Sequence, residues 1–269
     1  MDNMDNMSNE IYFTPYKVST ITCNAYLGKE ISINLSLLYE KINPKDEDGE
    51  IIWIQNLKDN MEFVKGTYPK KIRKSKKINK KKNRFDNQIT IIYRFNNEYK
   101  PNIKIFKNGN IQLTGIKNLD TDPKIIGCKI IDIIKETYNE KKEINMLKEG
   151  KEDFIKKLEF NTFKVRMINT DFKTYYNKDC KEKFNIRRKE LHNLLISEKY
   201  NNKCTFQPGI YQGAKLEYYC NEYDDGICRC KNHTYNKKID NNNCKKVTVA
   251  IFESGSILIT GGISYDQVD

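Results

Sequence analysis

Residues 105–115 read IFKNGNIQLTG, and residues 251–261 read IFESGSILITG. Six of the eleven positions are identical at a constant offset of 146 residues, with no gap. The surrounding patterns recur in the same order, which marks an internal duplication. In the first half, Val18 to Tyr26 alternates as a strand, and Ser32 to Ile42 carries Leu35, Leu38 and Ile42 at helical spacing. Asn43-Pro44 ends that helix, and an acidic loop runs through Glu50. Ile51, Trp53 and Val64 fit an extra hairpin, and Ile89 to Phe95 a strand. Behind the hairpin, Asp122-Pro123 supplies a cap and a first-turn proline for a helix of Ile125, Ile126, Ile130, Ile133 and Ile134. In the second half, Phe163 to Asn169 reads as a strand. Arg187 to Glu198 reads as a helix with Leu191, Leu194 and Leu195 inward, Lys215 to Tyr219 as a strand, and Val247 to Thr260 as the closing hairpin.

These patterns divide the chain into a disordered tail (1–13) and a first repeat (14–138) with an insertion at 43–84. A charged linker (139–159) leads to a second repeat (160–269), which carries a cysteine-bearing insertion at 220–245. The fold class is α+β. Apolar alternation fixes the parity of each hairpin: Ile103, Ile105, Ile111 and Leu113 belong to one face, and so do Val247, Val249, Ile251, Ile257 and Ile259. A two-residue Asn-Gly loop would pair Ile105 with Gln112 and split the first set. A three-residue loop with a glycine bulge keeps it together, with Ile105 expected opposite Leu113. Phe106, Gln112 and Thr114, then Phe252, Leu258 and Thr260, fall on the other face. Two phenylalanines at equivalent places on an uncovered face need a partner, unless a second helix layer or a dimer buries them.

Forty-eight lysines and arginines against 36 acidic residues give the 269-residue chain a net charge of +12, which suits a polyanionic partner. Residues 70–84, KKIRKSKKINKKKNR, hold ten basic residues in fifteen and cannot bury themselves. They suit a nucleic-acid arm, a localisation signal or a solvated loop. No apolar run is long enough to span a membrane, and the polar, acidic N-terminus resembles no leader. Eight cysteines in such a chain suit reduced thiols and an intracellular, soluble setting. Cys220, Cys228, Cys230 and Cys244, with His233 as an alternative ligand, cluster in one loop. They could close a tetrahedral zinc site, although C-x-C is not the usual knuckle; free thiols in a surface loop are the other reading. Cys23, Cys128, Cys180 and Cys204 read as small core or surface residues. The only histidines are His192 and His233, and there is no phosphate loop, nucleophile elbow or metal-binding pair, so no enzyme and no required cofactor are expected.

The paired hairpin motif resembles the TATA-box-binding protein family. VSTITCNAYLGKEISI resembles that family's first strand, KEKFNIRRKEL (181–191) its second-repeat helix, and FQPGIYQG (206–213) the segment before a later strand. The insertions and lysine-rich style resemble the divergent forms in large DNA viruses. The resemblance implies a pseudo-twofold saddle: a curved antiparallel sheet with helices on its convex face, straddling the minor groove of double-stranded, AT-rich DNA. Aromatic pairs wedge between base steps and bend the duplex. Carried over, the wedges are Phe85 with Phe106 and Tyr211 with Phe252, Phe206 being an alternative to Tyr211. Thr114 and Thr260 match central threonines, Gln112 and Leu258 replace central apolar contacts, and Arg84 and Arg94 match residues beside the wedge and the phosphate backbone. Thr20 and Met167 stand where the family has asparagines, and Asn110 and Ser256 where it has lysines.

The implied role is a transcription initiation factor, in the host nucleus or a viral factory, that meets transcription proteins on its convex face. A protein–protein adaptor that has lost specific DNA binding is the alternative. The chain stops at Asp269, where the resemblance places a closing helix. Val247, Ile257 and Ile259 are therefore expected to lack part of their cover, either because a partner supplies it or because the gene product is truncated.

Overall fold

The computed structural model describes residues 11–28, 31–58, 61–67, 87–140, 160, 163–229 and 245–268. The basic run, Arg84, Phe85, Cys230, His233 and Cys244 lie outside them. The chain forms two compact units, one of Ile21–Val165 and one of Met1–Thr20 with Arg166–Asp269.

The Ile21–Val165 unit contains most of β2 (Lys17–Tyr26), then α1 (Leu35–Lys41), β3 (Glu50–Lys58), β4 (Met61–Gly66), β5 (Gln88–Arg94), β6 (Asn102–Phe106), β7 (Asn110–Ile116) and α2 (Asp122–Glu140). Its antiparallel strands run in the order β4-β3-β5-β6-β7-β2. One face is the core: Ile89, Ile91, Ile103, Ile105, Ile111 and Leu113 are essentially inaccessible. The helices cover that face, α1 against β3 and β5, and α2 against β7. Ile126, Ile130 and Ile134 of α2 point inward, while Ile125 is 47% exposed on its outer side.

The insertion hairpin β3–β4 also secures α1. Lys65 Nζ donates to the carbonyls of Tyr39 (2.8 Å), Glu40 (2.8 Å) and Ile42 (3.1 Å), capping a helix end whose last carbonyls have no partner within the helix. At the start of α2, the buried Asp122 carboxylate accepts from Asn118 N at 2.9 Å and from the Tyr99 hydroxyl, which anchors the loop after β7.

The other unit contains β8 (Lys164–Tyr175), α3 (Arg188–Leu195), β9 (Lys203–Thr205), β10 (Ala214–Cys220), β11 (Lys245–Ile251) and β12 (Ser256–Gly262). Its order, β9-β10-β11-β12-β8, repeats the order β3-β5-β6-β7-β2 of the first unit. Tyr12 and Phe13, expected within the tail, form β1 (Tyr12–Phe13), which pairs with Tyr175 and Thr174 of β8, and Phe13 meets Phe172 edge-on at 6.0 Å. The first strand of this repeat also runs past the expected Asn169 to Tyr175. α3 is shorter than expected and packs on β9 and β10, leaving Leu194 49% exposed rather than inward.

The hairpins match in detail. Their loops, residues 107–109 and 253–255, have three residues and end on Gly109 (φ 79°) and Gly255 (φ 75°). Each glycine N–H donates to the phenylalanine carbonyl before the loop, at 3.0 Å and 3.1 Å. Both copies bulge at the Thr-Gly step, at Gly115 (φ 89°) and Gly261 (φ 99°). The expected register needs correction. Ile105 lies opposite Ile111 rather than Leu113, because a three-residue loop makes Phe106 and Asn110 its closing pair. A two-residue difference preserves parity, so face membership stands.

Cover differs between the copies. Ile111 and Leu113 are buried, but their counterparts Ile257 and Ile259 are only half-buried, as is Val249. Val247, also expected to lack cover, is instead 2% exposed. A short 3-10 turn at Tyr265–Gln267 brings Val268 over Gly262, where a β-carbon would lie 2.4 Å from Val268 Cγ1.

The two loop glycines generate a stability test. A side chain at positive φ costs about 1–2 kcal/mol. At Gly109 a β-carbon finds ordinary contacts, the nearest being Ile31 at 3.4 Å. At Gly255 it would lie 2.7 Å from Thr174 Oγ1 and 2.8 Å from the Phe184 carbonyl oxygen. Gly109→Ala should lose about 1–2 kcal/mol in denaturant titration, and Gly255→Ala measurably more.

Candidate nucleic-acid interface

The faces opposite the helices carry the expected residues. Residues directly opposite on paired strands share a face. Phe106 faces Gln88, Lys104 faces Gln112, and Asn102 faces Thr114, all on the helix-free side of β5, β6 and β7. In the other unit Leu258 faces Ala250 and Thr260 faces Thr248. Phe106, Gln112, Thr114, Phe252, Leu258 and Thr260 are all half-buried, whereas Ile111 and Leu113, between the first three, are buried. Thr20 and Met167 are half-buried on their strands.

One of the two expected aromatic pairs is found together. The rings of Tyr211 and Phe252 lie 5.8 Å apart, tilted by 59°. Gly213 makes room for them, since a β-carbon there would come within 2.9 Å of Tyr211 Cε1 and 3.2 Å of Phe252 Cε1. Lys215, whose register partner Ala250 puts it on the helix-free face, holds its ammonium 4.0 Å from the Tyr211 ring centre. Phe206, the alternative, sits instead beneath the Arg188 guanidinium at the start of α3, on the helix side.

Arg188 was not foreseen as a site residue. It donates to the Gln212 carbonyl and pairs with Glu253, the residues just after Tyr211 and Phe252. One guanidinium thus ties together the two loops that bear the aromatic pair. Its signal lay in the stretch KEKFNIRRKEL, but the long-range partners were invisible there.

Arg94 is engaged by two carboxylates. Its Nε donates to Asp48 at 2.7 Å and its Nη1 to Asp46 at 2.6 Å, with only 16% of the side chain exposed. The Asp48 hydrogen bond above all raises its pKa further. The acidic loop after α1 therefore occupies a guanidinium expected to contact phosphate.

Further polar residues share the helix-free faces. Asn24 lies opposite Gln112, and Thr22 opposite Thr114. Asp171 lies opposite Leu258, and Asn169 opposite Thr260. Asp171 was missed because the strand was read as ending two residues earlier. Glu217 on β10 lies opposite Thr248 and binds Lys203 at 2.9 Å and Lys246 at 3.3 Å. Burial pushes its carboxyl up, but these two ammonium groups outweigh that and hold it below the ordinary glutamate value. The free positive charge on this face is thereby reduced.

Of the expected metal ligands only Cys220 and Cys228 fall among the described residues, and no group of three or more candidate ligands gathers there. Cys23 and Cys204 are buried, and burial pushes the Cys23 thiol up to about 11, as for a core residue. Cys128 is exposed and Cys180 half-buried. No described helix is long and apolar enough to cross a membrane.

No family model matches the chain. Among solved structures, Methanococcus jannaschii TBP aligns with a TM-score of 0.42 at 14% identity, covering 95% of this chain and 92% of that one. Among curated proteins, the chain is 31% identical over 261 residues to a protein described as TATA-box-binding protein-like, from Acanthamoeba polyphaga mimivirus. The match takes in 94% of this chain, which spans 61% of that relative's length. The resemblance to the TATA-box-binding protein family, in the form found in a large DNA virus, thus holds for nearly the whole of this chain.

Proposed function

We propose that the chain is a non-catalytic, minor-groove DNA-binding and DNA-bending protein that acts as a TATA-box-binding-like transcription initiation factor. The observation that carries this reading is the Tyr211–Phe252 pair, set together on a helix-free face over a glycine that leaves room for both rings. Insertion of such rings between base steps costs a few kcal/mol of unstacking, which the contacts of bent DNA offset. Thr114, Thr260, Gln112 and Leu258 would line the groove floor, and Phe106, with Phe85, the second kink. The reading includes the pseudo-twofold saddle, transcription proteins on the helix-bearing faces, and a location where transcription starts.

The adaptor reading has its own support. Asp46 and Asp48 occupy Arg94, and Asp171 and Glu217 put carboxylates on a face meant for a polyanion. Titration of duplex DNA across salt concentrations decides between the two. DNA binding releases counterions, so log affinity should fall linearly with log salt, and deleting residues 70–82 should flatten the slope. Affinity weaker than about 10⁻⁴ M at low salt, below ordinary nonspecific binding, would leave the adaptor.

Phe106→Ala and Phe252→Ala should reduce bending and binding together, read by fluorescence. Their melting temperatures should move little, whereas a core phenylalanine cut to alanine loses about 3–5 kcal/mol. Tyr211→Ala should cost less binding, because insertion desolvates a hydroxyl.

Arg94 supplies a test with the opposite sign. Asp46→Asn with Asp48→Asn should release its guanidinium, tighten binding to duplexes of every sequence and steepen the salt slope by about one. An unchanged slope would show that Arg94 never meets phosphate.

We further propose that any zinc held by Cys220, Cys228, Cys230 and Cys244, or His233, stabilises only the 220–244 loop. Metal analysis of the purified chain, and thermal melts of Cys228→Ser with Cys230→Ser, should show the main transition unmoved.

A further inference from the structure

Strand register places hydrogen-bond acceptors beside the residues assigned to the centre of the bound site. Asn24 adjoins Gln112 in one unit, and Asp171 and Asn169 adjoin Leu258 and Thr260 in the other. Among the described residues, Asn24 Oδ1 and Asn169 Oδ1 are buried without a hydrogen-bond partner. A half-turn about χ2 exchanges the oxygen and nitrogen ends of each amide, so an unpartnered acceptor is free to turn toward a ligand's donor. Asp171, half-buried, has no ion pair among the described residues, unlike Glu217, which two lysines hold.

The floor of the minor groove shows acceptors at every base pair, adenine N3 and thymine O2 or their G·C equivalents. It shows one donor, the guanine N2 amino group. A carboxylate set against an A·T floor meets only acceptors and is repelled. Set against guanine, it receives a hydrogen bond. An apolar floor has the reverse preference, because it strips water from the amino group and returns nothing. Beside Gln112, Leu258 and Thr260 this chain sets three side chains that can accept, Asn24, Asp171 and Asn169.

We propose that Asp171, assisted by Asn169, and Asn24 read guanine through its N2 amino group, so that the target carries G·C pairs within the A·T-rich stretch the resemblance implies. The inference rests on the DNA-binding reading above and names what that same surface selects.

The test is selection of duplexes by the full chain from a pool randomised at its centre, then replacement of each selected guanine by inosine, which lacks only the N2 amino group. Selected duplexes should contain guanine, and inosine should weaken binding about tenfold in fluorescence anisotropy at low salt. Asp171→Leu should abolish the discrimination at one position, Asn24→Leu at another, and Asp171→Asn should retain part of it, since an amide oxygen still accepts. Melting curves check that the variants fold. If Asp171→Leu does not, Asp171→Asn and the inosine comparison on the unaltered chain decide. Selected duplexes without guanine, equal binding of inosine and guanine duplexes, or unchanged discrimination in Asp171→Leu would overturn the proposal. Salt-dependent binding that ignores sequence would remove this inference and leave the DNA-binding reading standing. Failure to bind any duplex would remove both.

Discussion

Everything on the helix-free faces depends on the parity set by two three-residue loops. Gly109 and Gly255, both with φ near the left-handed minimum, let each strand turn back so that isoleucines meet isoleucines across the hairpin. A slip of one residue would bring Lys104, Phe106, Gln112 and Thr114 to the core and expose Ile103, Ile105, Ile111 and Leu113. Each of those side chains contributes about 1.5–3 kcal/mol when fully buried, and Lys104 and Gln112 would lose water without gaining partners. The gap between the two registers is therefore large compared with the net stability of a domain. The positions of the aromatic residues are a consequence of where the isoleucines must go.

That dependence explains what could be read from the sequence. Parity is written in side-chain alternation, so the faces of Phe106, Phe252, Gln112, Leu258, Thr114 and Thr260 were legible, as were the repeat at an offset of 146 and the isoleucine ridge of α2. Register depends on loop length and backbone hydrogen bonds, which alternation does not encode; hence Ile105 was matched to Leu113 and not Ile111. Illegible for another reason were Lys65 at the end of α1, Arg94 with Asp46 and Asp48, and Arg188 with Gln212 and Glu253. Each joins residues more than 20 positions apart through a long, flexible side chain, and no periodicity announces such a pairing. Strand ends are equally silent, and that hid Asp171.

The two copies share a backbone plan and differ in how it is completed. In one, α2 seals the core face with Ile126, Ile130, Ile131 and Ile134. In the other, Val268 reaches over Gly262 and covers what a single residue can, while Ile257 and Ile259 stay half-buried. The substitution of glycine where the first repeat has the fully buried Ile116 is matched by Val268 arriving from elsewhere in the chain. Volume is thus conserved locally by a different residue, as close packing requires. The helix-free faces diverge too, one carrying neutral amides and hydroxyls beside Lys104, the other lysines with two carboxylates.

Arg188 shows how the helix side and the open side of the second unit are coupled. Its guanidinium stacks on Phe206, pairs with Glu253 and holds the Gln212 carbonyl, so the planar group is fixed on three sides. Tyr211 and Phe252 each precede one of those tethered residues, and Gly213 leaves no side chain between the rings. The pair is therefore held before any ligand arrives. A loop that had to be ordered on binding would lose about 1–2 kcal/mol per residue of backbone freedom at that moment. Holding the rings in advance places that entropic cost in folding, where the core bears it. On the proposed DNA-binding reading the same rigidity would limit the pair: two rings held 5.8 Å apart would enter only a step opened to suit them, which would make deformability of the nucleic acid part of recognition.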